Sequence, residues 1–399
     1  MVQLDYEIYG ARNADEYIRR SYRGGYCYLV KGKENKVFKG GYTADINSSY
    51  PSNMSSESGN YYPVGLPKFW SGNEIPDQAL GRYYFIRIRC RFKLKKNMLP
   101  TVQIKGNFLY RGTEYLETSD IYDYESKTYK RYYVKEGIKH DSYITMTMTC
   151  TDYELFLKHY DILDMVILDG CWFYKEIGLF DSYMKKWKQI KQTSTGARRE
   201  LAKLYLNNLY GKYASSSDSS YKIPYINSKD VLGFEMVEEN EKKLVHIAIG
   251  SAITSYSRAF VINAAQQNYY GVDKDGFIYA DTDSIHCSGD PKTVKGIRIH
   301  PTDFCAWKLE SYWDKAIFVR QKTYIEHVTH SDGEPIDPYY NIRCAGMSDT
   351  AKEEFINNHV MEDFKEGLQL SHMLKPVRMR GGIVLVNKGY KMKKTIKED

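Results

Sequence analysis

The sequence contains no C-x-x-C pair, and its seven cysteines stand singly along 399 residues. That spacing excludes a zinc-ribbon or disulfide framework and points to a reducing compartment. No apolar run has the length that crosses a bilayer. The opening residues, Met1-Val2-Gln3-Leu4-Asp5-Tyr6, lack the basic and apolar regions of a secretory leader. A soluble, cytoplasmic protein without a membrane partner is therefore expected. No fixed-period repeat and no long low-complexity tract occurs, which sets repeat architectures aside.

What is present suits a large core or several subdomains: 42% hydrophobic and 27% charged residues. The 38 tyrosines serve cores, but they also stack on bases and contact phosphates. A net charge of +7 is modest for this length and permits a polyanionic partner without proving one.

Periodicity places the elements. Gly41 to Ile46 reads as a strand entering a turn at Asn47-Ser48-Ser49. Ile86, Ile88, Cys90, Phe92 and Leu94 alternate with Arg87, Arg89, Arg91, Lys93 and Lys95. Period two predicts a strand with one apolar and one basic face. The basic face is either a solvated sheet surface or a rail for nucleic-acid phosphates. From Asp181 the pattern turns helical and breaks at Thr193-Ser194-Thr195-Gly196, before a second helix from Ala197 to about Tyr213. Ser215 to Glu241 is polar and poor in regular pattern. Ser251 to Tyr269 reads as a helix, and Phe277 to Cys287 as strand, turn, strand. Phe318 to His330 alternates and ends at the turn signal Ser331-Asp332-Gly333. A helix follows. Then come a short buried strand at Gly381 to Val386 and a basic stretch from Lys388 to Lys397.

Three segments carry the chemistry. They are Asp45-Ile46-Asn47-Ser48-Ser49-Tyr50-Pro51, Lys203 through Gly211, and Tyr279-Ala280-Asp281-Thr282-Asp283-Ser284. An isolated D-T-D is ordinarily an Asx-rich turn, and an isolated stripe of Lys203, Asn207 and Tyr210 an ordinary amphipathic helix face. In this order the three resemble motifs A, B and C of family B DNA polymerases. Tyr22-Arg23-Gly24-Gly25, Arg320-Gln321-Lys322-Thr323-Tyr324 and Cys344-Ala345-Gly346-Met347 narrow the resemblance to the protein-primed branch typified by the phi29-like phages. So does Lys191 before Thr193-Ser194-Thr195-Gly196. It covers Tyr22 to about Val386.

The resemblance implies an α+β right-hand polymerase fold, with palm, fingers and thumb around an antiparallel palm sheet. Expected units are 1–56 with the Y-x-G-G segment and motif A, a terminal-protein-contacting insertion at 57–178, and fingers at 179–215. A strand-displacement and processivity insertion at 216–246, palm at 247–347 and thumb at 348–399 complete them. The activity implied is DNA-directed DNA synthesis by two-metal nucleotidyl transfer, with magnesium or manganese. Asp45, Asp281 and Asp283 would be catalytic, and Asp45, the Ile46 carbonyl and Asp283 would hold two ions. Asp281 and Asp283, two apart in an extended segment, are expected to point the same way. Lys191 and Lys203 would bind the triphosphate, Asn207 and Tyr210 the nascent base pair, with Arg199 extending that stripe. Tyr50 would exclude a ribose 2′-hydroxyl. Tyr22, Gly24 and Gly25 would bind template, and Lys322 and Tyr324, on one strand face, the primer end.

Implied partners are template and primer DNA, deoxynucleoside triphosphates and a terminal protein, in host cytoplasm if the source is viral. Three departures stand out. Ser49 replaces an apolar residue beneath Tyr50, Asn208 stands where serine is common, and only Met1 to Ser21 precede Y-x-G-G. The last implies a chain without 3′–5′ exonuclease, with Asp5-Tyr6-Glu7 resembling the exonuclease D-x-E by chance. Two rival readings stand beside the self-sufficient polymerase. One is half of a split enzyme that needs a separate exonuclease chain; the other is a non-catalytic DNA-binding replication subunit.

Overall fold

The computed structural model describes residues 2–104, 114–123, 125–215, 219–226, 228, 232–239, 246–379 and 382–393. Among these, eight strands form the main sheet, every pairing in it antiparallel. Seven of them run in the order Cys27–Leu29, Gly276–Asp281, Ser284–Ser288, Gly41–Ile46, Trp307–Arg320, Thr323–Ser331, Glu334–Cys344. Segments far apart in sequence thus become neighbours, and the two strands of the expected hairpin at 277–287 are second and third from one edge, paired on both sides.

One sheet face is covered by the helix Ile247–Gln267. Its Val261, Ile262, Ala264 and Ala265 pack against Ala44, Ile46, Phe277, Ala280 and Ile285. The small residues of this helix let it lie close to the strands, and the burial they share supplies the stabilisation. Its first half turns to a second core with Tyr17 and Ile18 of the helix Ala14–Arg19 and with Met184 and Leu206.

A separate four-stranded sheet is built from Tyr62–Ser71, Tyr83–Leu94, Ile144–Thr149 and Tyr160–Glu176. Ile86, Ile88, Cys90 and Phe92 are buried as the alternation predicts. The opposite face is not a bare rail. Arg87 is ion-paired with buried Asp169, Arg91 lies 3.5 Å from Asp120, and Arg89 covers the Tyr143 ring at 4.3 Å. Intramolecular partners occupy those guanidinium groups.

Helices Asp181–Thr193 and Gly196–Ala214 pack against each other, with Trp187 stacked on Tyr205 at 4.2 Å. The stretch read as irregular contains a hairpin, Ser219–Ile226 with Leu232–Glu239; the remainder of the 216–246 insertion, apart from residues 228 and 246, lies outside the described residues. A second difference falls at residues 321–322. The alternation from Phe318 to His330 is broken there by a turn, with Lys322 at φ 58°. Strand periodicity continues through both arms of a hairpin, so it did not reveal the reversal.

At the C-terminal end, helix Asp349–Asn358 packs Ala351 and Phe355 against Ile317, Val319, Ile325 and Ile342. The strand expected to be buried is instead one arm of a hairpin, Gln369–Met379 with Gly382–Lys391. Ile383 and Leu385 are 62% and 60% exposed there. A continuous apolar run can face outward in a two-stranded ribbon, which here packs at its base, through Leu370 and Tyr390, against Ala351 and Phe355. Gly381 and the end of the basic stretch, 394–397, lie outside the described residues. Among the described residues, no helix is long and apolar enough to cross a membrane.

Candidate active site

Strand register brings the carboxylates together. Asp45 lies opposite Ser284, and Ser284 lies opposite Asp281. On its other side Asp45 faces Lys308. Directly opposed residues share a sheet face, so a single surface carries all four.

The chain reverses through Thr282, at φ 66°, with the Asp283 N–H donating to the Asp281 carbonyl at 2.7 Å. A β-branched residue at positive φ is strained and persists only where its surroundings hold it. Here they do. The Thr282 N–H donates to the Tyr26 carbonyl at 2.7 Å. Gly25 presses so close that a Cβ at that position would lie 2.5 Å from Thr282 Cγ2. This corrects the expectation that Asp281 and Asp283 share one face of an extended segment. Their relation is set by a tight turn, which leaves Asp283 at the tip beside Ile46. The Ile46 N–H donates to the Asp283 carbonyl at 2.8 Å.

Burial first, then Asp283 and Glu310, pushes the Asp45 carboxyl up to about 8, with Lys308 opposing. Burial, then Asp281, pushes Asp283 up to about 6, with Lys322 among the groups that oppose it. Half-buried like charges of this kind favour a cation between them. Among the described residues, no group of three or more His, Cys, Asp or Glu side chains could by itself hold a metal ion. That donor set fits magnesium or manganese, which take a few carboxylates plus substrate oxygens, and does not fit a closed zinc cage.

Beside the carboxylates, the Lys191 ammonium donates to Ser48 Oγ at 2.9 Å. Burial, then Lys203 and Arg199, holds Lys191 below the usual lysine range. Lys191, Lys203 and Arg199 thus lie near one another, with the Glu200 carboxylate opposing them. Asn207 stands exposed on the same helix, one turn beyond Lys203. Tyr50 stacks on Tyr210 at 4.2 Å, and the Tyr210 hydroxyl is hydrogen-bonded to Tyr22. Burial, then Tyr22 and Asp283, pushes the Tyr50 hydroxyl up to about 12. Ser49, the polar departure beneath Tyr50, is buried and hydrogen-bonded to Ser257 at 3.0 Å.

Lys322 reaches Asp281 Oδ1 at 2.8 Å. Tyr324 does not share its face as expected. It is 7% exposed, packed with Tyr279 and Phe318 in the core beneath the turn. Gly24 and the preceding residue are held from below: Arg258 donates to the carbonyls of Arg23 and Gly24 at 2.7 and 2.8 Å. Arg258 is in turn ion-paired with Asp152.

Glu310, Lys308 and Arg258 were not singled out from sequence. Arg258 had a legible signal, as the lone charged residue within Ile247–Gln267. Glu310 had none, because it sits at a register shift between Leu309 and Ser311 that no sequence period marks.

The chain is also similar to known proteins. Residues 10–295 match the family model described as DNA polymerase type B, organellar and viral. The chain belongs to that family. It is 35% identical over 393 residues to the DNA polymerase of Bacillus phage phi29, covering 95% of this chain and 62% of that protein. Against the DNA polymerase of Streptococcus phage Cp-1 it is 32% identical over 360 residues, covering 88% of this chain and 56% of the relative. Among solved structures it is similar to phi29 DNA polymerase complexed with primer-template DNA and incoming nucleotide substrates. The TM-score is 0.76 at 35% identity, over 94% of this chain and 62% of that one. The α+β polymerase fold is therefore shared, and the chain spans about 62% of the length of the phi29 relative.

Proposed function

We propose that this chain is a DNA-directed DNA polymerase of the protein-primed, phage type, adding deoxynucleotides to a primer 3′-hydroxyl supplied by DNA or by a terminal protein. The observation that carries the reading is the convergence of Asp45 and Asp283, through the pairing of Asp45 with Ser284 and the Ile46 N–H bond to the Asp283 carbonyl, with Lys191 bonded to Ser48 three residues on. The relatives named DNA polymerase, and a solved relative described with primer-template DNA and incoming nucleotides, support it.

Asp45, the Ile46 carbonyl and Asp283 would hold two magnesium or manganese ions, which supply Lewis-acid activation of the hydroxyl and charge neutralisation at the triphosphate. The protein's own groups do the rest. Lys191 and Lys203 bind and orient the triphosphate. Tyr50, braced by Tyr210, excludes a 2′-hydroxyl. Lys322, anchored to Asp281, holds the primer end over the carboxylates, while Tyr22, Gly24 and Gly25 line the template side. The units follow the same reading: palm around the main sheet, fingers at 179–215, thumb at 348–399, and a terminal-protein contact at 57–178. The hairpin within 216–246 serves strand displacement. The work would take place in the cytoplasm of an infected host cell.

The test is extension of a labelled primer–template with magnesium and four deoxynucleotides, beside Asp283→Ala. Extension by the wild type alone supports the reading. Salt-sensitive DNA binding without extension replaces it with a DNA-binding subunit or with half of a split enzyme, and restored extension on adding the separate exonuclease chain marks the latter.

A further inference from the structure

Below the carboxylates, the same face of the main sheet holds a polar network that the proposed chemistry leaves unused. Thr43 lies two residues before Asp45, His286 two after Ser284, and Glu326 two after Tyr324. They are 3%, 1% and 0% exposed. His286 Nδ1 lies 2.7 Å from Glu326 Oε1 and 3.1 Å from Thr43 Oγ1. The Thr43 hydroxyl donates to the same carboxylate oxygen at 3.1 Å, and the Asn341 amide donates to Oε2 at 3.0 Å. Four strands thus each contribute one group. Burying a carboxylate is costly even when it is paired, and apolar residues of similar volume would join these strands as well. What the network adds over such a core is a fixed orientation for the imidazole.

That ring touches both arms of the site. Its centroid is 4.9 Å from Tyr324, 5.3 Å from Tyr279 and 5.4 Å from Phe318. The Tyr279 hydroxyl accepts from the Lys322 N–H at 2.8 Å, and the Lys322 ammonium reaches Asp281 at 2.8 Å. On the hairpin side, Ser284 Oγ lies 3.4 Å from His286 Nε2 and 3.5 Å from the Asp281 carbonyl, at the outer limit of hydrogen bonding. The imidazole therefore sits where the hairpin of Asp281 and Asp283 meets the turn of Lys322.

We propose that His286, oriented by Glu326, is a positioning residue that sets the carboxylate hairpin against the Lys322 turn, and so places the primer 3′ end over Asp281 and Asp283. The inference rests on the polymerase reading above. It acts through other side chains, so its loss changes the rate of the step more than the affinity for nucleotide.

Single-turnover primer extension by the full chain tests it, over deoxynucleotide concentrations up to saturation, in Glu326→Ala, Glu326→Gln, His286→Asn, Lys322→Ala and the Glu326→Ala/Lys322→Ala double variant. Misplacement on the ångström scale costs up to about a hundredfold in rate, so Glu326→Ala is expected to slow extension by about tenfold or more. The nucleotide KM should stay within about twofold, and Glu326→Gln, which keeps an acceptor for His286, should return the rate to within about threefold of wild type. The Glu326 and Lys322 losses should fall short of additive, because one acts through the other. Wild-type rates in Glu326→Ala, or additive losses with Lys322→Ala, would overturn the proposal. Should Glu326→Ala fail to fold, His286→Asn decides. It keeps a donor toward Glu326 but removes the ring, so slow extension at an unchanged melting temperature supports the role and a wild-type rate ends it. A wild type that does not extend removes the polymerase reading and this inference together; a wild type that extends alongside unaffected variants removes this inference only.

Discussion

The hairpin Gly276–Ser288 and the helix Gly196–Ala214 carry opposite halves of the site and are built on opposite terms. Phe277, Ile278, Tyr279, Ala280, Ile285 and Cys287 are all 0% exposed, and the hairpin is paired on both edges. The helix buries Ala202 and Leu206 and leaves Leu201, Leu204 and Tyr205 half exposed. A one-residue slip would turn every hairpin side chain to the wrong face, so dense packing and register fix the carboxylates together. The helix has few buried contacts, which is the low-stability end from which moving elements are drawn. On the proposed reading, the charge that holds metal sits on the sheet, and the charge that binds the triphosphate sits on the helix.

Four experiments break or sharpen that contrast. Asp45→Asn should cost the most on the sheet side, about a thousandfold in incorporation, as expected when a fixed electrostatic group is removed. At pH 9 the same change should not lower the melting temperature of the metal-free protein, since it removes a half-buried like charge. A lower melting temperature would show that Asp45 is structural. On the helix side, Lys203→Ala should raise the nucleotide KM by about tenfold to a hundredfold, the worth of one charge-assisted hydrogen bond, with kcat less affected. A pure kcat loss would place Lys203 on the rigid side. Tyr50→Val, at the junction, should relax discrimination against ribonucleotides by about tenfold; steady-state incorporation of both sugars measures it, and unchanged selectivity would remove Tyr50 as the gate.

The smallest effect is a pH dependence. Asp45 and Asp283 both have folded values above the ordinary 3.8, at about 8 and about 6. A carboxyl raised by folding contributes stability that is complete below its ordinary value and lost as pH rises through the folded value. Metal-free protein should therefore melt lower at pH 9 than at pH 5, by about 1 °C per kcal/mol lost. Magnesium should reduce that decline, and Asp45→Asn should flatten it. A melting temperature that rises across this window would contradict the buried like-charge pair.

Much of this site was legible in the chain. The strand ending at Asp45, the break between the helices Asp181–Thr193 and Gly196–Ala214 and the hairpin at Asp281 followed from residue type and local period, and the three motifs from the family resemblance. Those are properties that neighbouring residues impose on one another, and the sequence determines them alone. Only the tertiary structure decided the rest. Thr282 turns through a strained φ because Tyr26 and Gly25, some 250 residues away, close over it. The arginines of the Tyr83–Leu94 strand take their partners from Asp169, Asp120 and Tyr143. Tyr324 faces inward because the chain reverses at Lys322, a reversal that alternation runs straight through. Glu310 comes near Asp45 through a register shift. Such contacts join segments distant in sequence, and their energy appears only once the strands are paired; period and composition record what each segment prefers, not which segment it will meet.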